Sequence, residues 1–512
     1  PAQAEALAAA ARALPDLAAV DRLALALALA DAWRNLGRAQ EAFALFEAEI
    51  MPALRAASPP DFPRHVITFG VLHQAVGRYA AARTLWAEAI ALADAAGMAH
   101  ESVRARIFAG RLAFFEGNGP QALAHFEAAV AQAKEANLEA DQGWALALKG
   151  HMLGTLDHAR LAEGLACLGE ARDIQVRLGN HVRLFEAFND EGNLLLGAGR
   201  PLAAREVFER CLSIGAIVGP QEAVYAHLNF AFTRLELGEA AQAKLGAAQV
   251  TELAQRLGGK LPESFAAAVE GLALVRVGSP VLGWARLERA LALAGELGNR
   301  YAELAAGALA VEAMVELGRW ESARPALGHM RGLAQAAGNH EHDGRFARLE
   351  ATLDVLGRAP TARDRVTALV EAARARGSSA ELAHALRWQA EWQLGERQWD
   401  LAGASLHGAE EQAKEAGLAA LPAELALLQG ELNLAQGQGM FAGFALLRGL
   451  DLAQKLELGP LAWRIKAALA EADPTHRPHG DEARARYQQV AGTFGAAERE
   501  AYGRMPGHQR LG

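Results

Sequence analysis

The densest metal-like group in the chain is His340-Glu341-His342-Asp343. Ligands two apart on a helix leave from different sides, so they would not share an ion. The run reads instead as an acidic first helical turn after Asn339, where the helix dipole favours negative charge. His476 and His479 stand in a Pro-rich insertion, Pro474 to His479. Cys167 and Cys211 are the two cysteines, too few for a disulfide framework or a four-cysteine zinc site, and read as small buried hydrophobes. Gly258-Gly259-Lys260-Leu261 is a helix end without the Ser/Thr of a phosphate loop. No Gly-x-Ser-x-Gly and no His-Glu-x-x-His occurs, and pairs such as Glu410-Glu411 sit on solvated faces. The expectation is a protein that is not an enzyme, with no catalytic residue, no metal and no cofactor.

What remains is recognition chemistry. Arg104, Arg111 and His151, followed by Asn189, Asn193, Tyr225 and Asn229, form a polar series along the middle of the chain. Arginine forks suit carboxylates and asparagine amides suit backbone groups. Several Asn in mid-helix lower helix propensity, so the run Asn189-Asp190-Glu191-Gly192-Asn193 asks for a reason. Solvation of the wall, or bonding between neighbouring helices, would be reason enough; a partner site is the other reading.

The elements that carry these residues follow from composition and repeat. Of 512 residues, 52% are hydrophobic and only 6% aromatic, with Ala and Leu dominant, which favours helix over sheet. A net charge of −9 disfavours direct nucleic-acid binding. The apolar stretches are too short or too broken by glycine to span a membrane. The cysteine usage fits a cytoplasmic setting.

A turn recurs at Gly37, Gly77, Gly117, Asp157, Gly199, Gly238, Gly278, Gly318, Gly357, Arg397 and Gly437, at spacings close to 40. Five residues after each stands Ala or Gly, from Ala42 through Gly283 to Ala442. Seven residues before each is another small residue, with Val311 and Glu350 as the exceptions. At plus nine a large apolar residue is common, as in Trp86, Phe126, Phe208 and Leu287. A second mark, Gly or Asn, falls about halfway through the repeat, as at Gly97, Asn137 and Gly179, and ends a helix. Each unit is therefore a helix A before the turn and a helix B after it.

This pattern resembles the tetratricopeptide (TPR) family. The longer unit and the Leu-Gly-Asn ends at Leu178-Gly179-Asn180 and Leu297-Gly298-Asn299 are similar to the TPR sensor arms of bacterial regulators such as the maltose-regulon activator, and the C-terminal end resembles signalling ATPases. The resemblance implies an all-α fold, a right-handed α-solenoid of about twelve antiparallel helix pairs. The expected organisation is an orphan or capping helix over residues 1–15, eleven helix pairs over 16–458, and an irregular twelfth pair, capping helix and frayed tail over 459–512, with Gly480 as the last turn.

In such arrays helix A lines the concave wall, at about 13, 10, 6, 3 and 2 residues before the turn, and Asn193 matches the Asn that bonds peptide backbone in peptide-binding members. The implied function is a non-catalytic scaffold holding a protein or peptide segment in the concave groove, in signalling or regulation. The alternative is the C-terminal sensor arm of a larger NTPase, kinase or transcription regulator, suggested by the orphan first helix and the missing Met.

Overall fold

The computed structural model describes residues 5–6, 18–35, 38–336, 340 and 342–511. The expected capping helix over 1–15, the turn at Gly37 and Glu341 of the His-Glu-His-Asp run lie largely or wholly outside them. The described residues form helices and connecting turns throughout, with no strand among them. Helix pairs alternate in the expected order, as in Ala99–Phe115 with Gly119–Glu135 and Lys260–Arg276 with Pro280–Leu297. The protein is an all-α solenoid. Chain contacts divide it into two compact units. One runs to Leu153 and includes Ala166–Gly179; the other comprises Gly154–Leu165 and Asn180 onward.

The two periodic columns of small and large residues meet in space. A Cβ on Gly70 would lie 2.5 Å from Trp86, on Gly110 2.6 Å from Phe126, on Gly192 2.4 Å from Phe208, and on Gly430 2.5 Å from Leu446. The notch seven residues before the turn receives the bulk nine residues after it, and this lets helix A and helix B close on each other. Trp86, Phe126 and Phe208 are all but sealed from solvent as a result. The Leu-Gly-Asn ends also have a physical reading. Gly298 takes φ +57 to end one helix, and Asn299 Oδ1 accepts from Ala302 N at 3.1 Å to begin the next.

Three expectations need correction. The left-handed residue of the ninth turn is Arg358, φ 49, and not Gly357. Helix A there is displaced by one position, so the small residue seven before the turn is Ala351, fully buried, and the exception at Glu350 disappears. Gly480 lies inside the helix Arg477–Ala491 and turns nothing. The tail is docked: His508 and Leu511 are buried, and Arg510 pairs with Glu431 at 2.6 Å and Glu471 at 3.1 Å. The closing helix forms as Ala496–Gly503.

The second unit winds far enough to touch itself. Ser378 Oγ donates to Gly199 O at 3.0 Å across 179 residues. Ala419 N donates to Leu237 O at 2.7 Å. Arg319 pairs with Glu498 at 2.7 Å, again 179 residues away, and Arg504 pairs with Glu321. A Cβ on Gly318 would sit 2.0 Å from Ala501 O. Turns four to five repeats apart therefore stack, and the helices A between them face an interior ringed by those turns.

Candidate functional site

The interior of the second unit is built from the inner columns of helix A. Two residues before their turns stand Glu236, Arg276 and Glu316; six before stand Glu312, Glu391 and Glu431. The corrected register adds Arg345 and Arg348 at thirteen and ten before Arg358, beside His384 and Arg387 at the same places in the next repeat. Successive repeats thus aim one ring of charge into a space that the stacked turns enclose.

Glu312 is the centre of this ring. Its carboxylate pairs with Arg276 at 2.7 Å, with Arg348 at 3.3 Å and with Arg345. Arg276 Nε also donates to Glu316 at 3.0 Å, and Arg345 Nη2 donates to Glu236 at 2.5 Å. Arg345 lies over the Phe232 ring at 5.6 Å. Burial alone would raise the carboxyl pKa of Glu312, but the three guanidinium charges outweigh it and hold it well below the usual range. Glu316 shows the opposite balance: burial and the Glu312 charge push it up, against Arg276. Burial drives His384 well below the ordinary histidine value, so its ring is neutral at pH 7.

Beside this network lies a cavity of about 230 Å³. Its polar lining includes Arg348, His384, Arg387, Glu424 and Arg464, and Tyr502 and His508 close it from the C-terminal end. Tyr502 is held by stacking on Tyr487 at 5.7 Å and by the edge of His508 at 4.5 Å. His508 Nδ1 in turn meets Tyr502 O at 2.8 Å.

The residues singled out in the sequence separate into two groups, each within its own unit. In the first unit Arg104 and Arg111 share the helix Ala99–Phe115, seven residues apart and so on one face. Both are half-buried and neither makes an ion pair or hydrogen bond among the described residues. The His151 ring meets Phe114 edge-on at 6.1 Å. In the second unit Asn229 Nδ2 donates to Asn189 Oδ1 at 2.9 Å, one repeat away, so this pair bridges neighbouring helices A. The Asn193 side chain makes no hydrogen bond among the described residues, and Tyr225 is 39% exposed.

The other candidates are structural. Cys211 is buried, its thiol pushed up to about 12, chiefly by burial and also by the Asp190 charge. Cys167 is only half-buried, less enclosed than expected. His340 Nδ1 meets Asp343 at 2.9 Å, while His342 turns into the core.

Among solved structures the fold has counterparts. The crystal structure of a Rap protein complexed with Competence and Sporulation Factor matches 70% of this chain and 99% of its own, at 13% identity and a TM-score of 0.52. That of the APC/C hetero-tetramer Cut9-Hcn1 matches 94% of this chain and 89% of its own, at 13% identity and a TM-score of 0.48. No family model matches the chain, and no curated protein matches it. The likeness is one of fold, that of TPR-type helical repeats.

The charged interior was missed in the sequence although its columns were known. The signal was present: Glu and Arg recur at the inner positions of helices that are otherwise apolar, Lys260–Arg276 and Arg300–Glu316 above all. A one-residue slip at Gly357 hid Arg345 and Arg348 from those columns.

Proposed function

We propose that this chain is a non-catalytic scaffold in bacterial signalling or regulation, working in the cytoplasm and binding a protein or peptide segment on the inner wall of its first unit. Arg104 and Arg111 carry this reading. They stand thirteen and six residues before their turn, the columns that face inward in the second unit. Most arginines elsewhere are engaged, as Arg55 is with Glu88 at 2.8 Å and Arg106 with Asp94 at 2.7 Å. Two half-buried guanidiniums one above the other, with Phe114 and His151 alongside, suit a segment bearing a carboxylate and an apolar side chain. Within the second unit, and separate from that wall, Asn193 with its amide unbonded among the described residues is a further candidate backbone-binding group, and Asn189, Tyr225 and Asn229 are the other candidates there. The Rap protein, seen with Competence and Sporulation Factor bound, is a protein of similar fold that takes a partner.

Peptide display selected on the full chain tests this reading. Selected peptides should carry an acidic residue or depend on a free C-terminal carboxylate. Arg104→Ala with Arg111→Ala should lose them while melting as the parent does. Peptides without acidic character, or equal capture by the double variant, would remove the first unit's wall from the function.

A further inference from the structure

The cavity in the second unit is lined by an arginine, Arg464, whose guanidinium makes no direct ion pair among the described residues. Arg276, Arg348 and Arg387 each have a carboxylate within ion-pair distance. Arg464 has none among the described residues, and its Nε is buried without a hydrogen-bond partner. Three further groups are poised beside it. Arg387, 6% exposed, is ion-paired with Glu391 at 3.0 Å and Glu424 at 3.3 Å, but its Nη1 has no hydrogen bond. The Tyr502 hydroxyl, on a residue 3% exposed, has none either. The His384 ring lines the cavity and makes no hydrogen bond among the described residues. Burial makes Arg464 less basic, against the attraction of Glu391, Glu431 and Glu424, and the nearby charge of Arg387 adds to the effect of burial.

The remaining lining is apolar, with Val315, Leu356, Trp388 and Leu461. The volume lies below the ~300–1,000 Å³ of pockets for drug-sized molecules. Glu236, Glu312, Glu316 and Glu424 also border the cavity, and their charge would repel a dianion more strongly than a monoanion. We propose that this cavity binds a small organic monocarboxylate, its carboxylate on Arg464 and Arg387 and its apolar body against Trp388 and Leu461. Tyr502 donates to the same carboxylate. The docked tail closes over the ligand, since Gly507 packs on Arg464, with a Cβ there only 3.2 Å from Nε. This site belongs to the second unit and does not depend on the wall of the first.

The test is titration calorimetry of the full chain with butyrate, hexanoate, benzoate and phenylacetate. Hexanol, benzyl alcohol and inorganic phosphate are the controls. At least one carboxylate should bind and raise the melting temperature, as any ligand selective for the folded state does. The alcohols and phosphate should not. Arg464→Met should weaken the carboxylate about tenfold or more. Without ligand it should melt no lower than the parent, because Arg464 makes no direct ion pair or hydrogen bond to lose. Failure of every carboxylate to bind, binding of phosphate alone, or undiminished binding by Arg464→Met would overturn the proposal. So would an Arg464→Met chain that melts lower or fails to fold, because the charge would then serve the structure.

Discussion

The Phe126 ring occupies the place where a side chain on Gly110 would stand, 2.6 Å from that Cβ position. Sixteen residues separate them, and the same pairing recurs at Gly70 with Trp86 and Gly192 with Phe208. Gly110→Ala should therefore destabilise the first unit by about 1–3 kcal/mol, the usual cost of overpacking a filled core. Phe126→Leu should recover part of that loss in the double variant, although alone it leaves a gap. Urea unfolding of the four chains measures the coupling. Additive effects would mean that the two residues do not meet.

Gly318 answers to two constraints and Gly77 to one. Both have positive φ, +72 and +80, but a Cβ on Gly77 meets nothing within 4 Å, whereas on Gly318 it would strike Ala501 O. Gly77→Ala should cost about 1 kcal/mol from backbone conformation alone. Gly318→Ala should cost clearly more and should also loosen the C-terminal helix. Hydrogen exchange over residues 496–511 would report that loosening; protection equal to the parent's would contradict the stacked turns.

Removing the charge of Glu312 leaves Arg276, Arg345 and Arg348 to repel one another in an enclosed space. Glu312→Gln should cost about 3–5 kcal/mol, the range for breaking a buried ion pair. Arg345→Met in the same chain should restore part of it. A thermal melt of Glu312→Gln indistinguishable from the parent's would show that the ring is solvated.

Stability should fall on mild acidification. Burial chiefly, with Arg345 beside His342 and Arg464 beside His508, lowers both histidines to about 4 from 6.5. Above pH 6.5 they are neutral whether folded or not, and the stability is fully present. Below it the unfolded chain binds protons that the folded chain refuses until about pH 4, at up to ~1.4 kcal/mol per pH unit for each histidine. Glu316 acts in the opposite sense, since its raised pKa makes the folded form bind a proton first. His508→Gln should flatten the decline in urea midpoint between about pH 6.5 and pH 5. An unchanged slope in that variant would exclude His508 as a source.

The repeat and its packing columns are readable because they are local, and the register with them except at the ninth turn and at Gly480. Gly110 and Phe126 lie in one helix pair, and Asn299 caps the helix it begins. The interior was not readable, because it depends on the rotation between repeats. A few degrees per step, set by side-chain packing along whole helices, decide whether Ser378 reaches Gly199 or misses it. Asn189 and Asn229 stand out in the sequence as mid-helix asparagines, and their bond to each other is the bonding between neighbouring helices that such residues allow. Arg464 was passed over because it lies in the irregular last pair, where no column applied.

Helical arrays of this kind commonly lengthen or shorten by duplicating or losing whole units, since each unit contacts only its neighbours. The hydrogen bond from Ser378 to Gly199 removes that freedom from the second unit. Like the pitch of a screw thread, the count of repeats between those residues is fixed: one unit inserted between them would bring a different turn opposite Gly199 and scatter the charges around Glu312. Natural variation in length should therefore be confined to positions outside the span from Gly199 to Arg504.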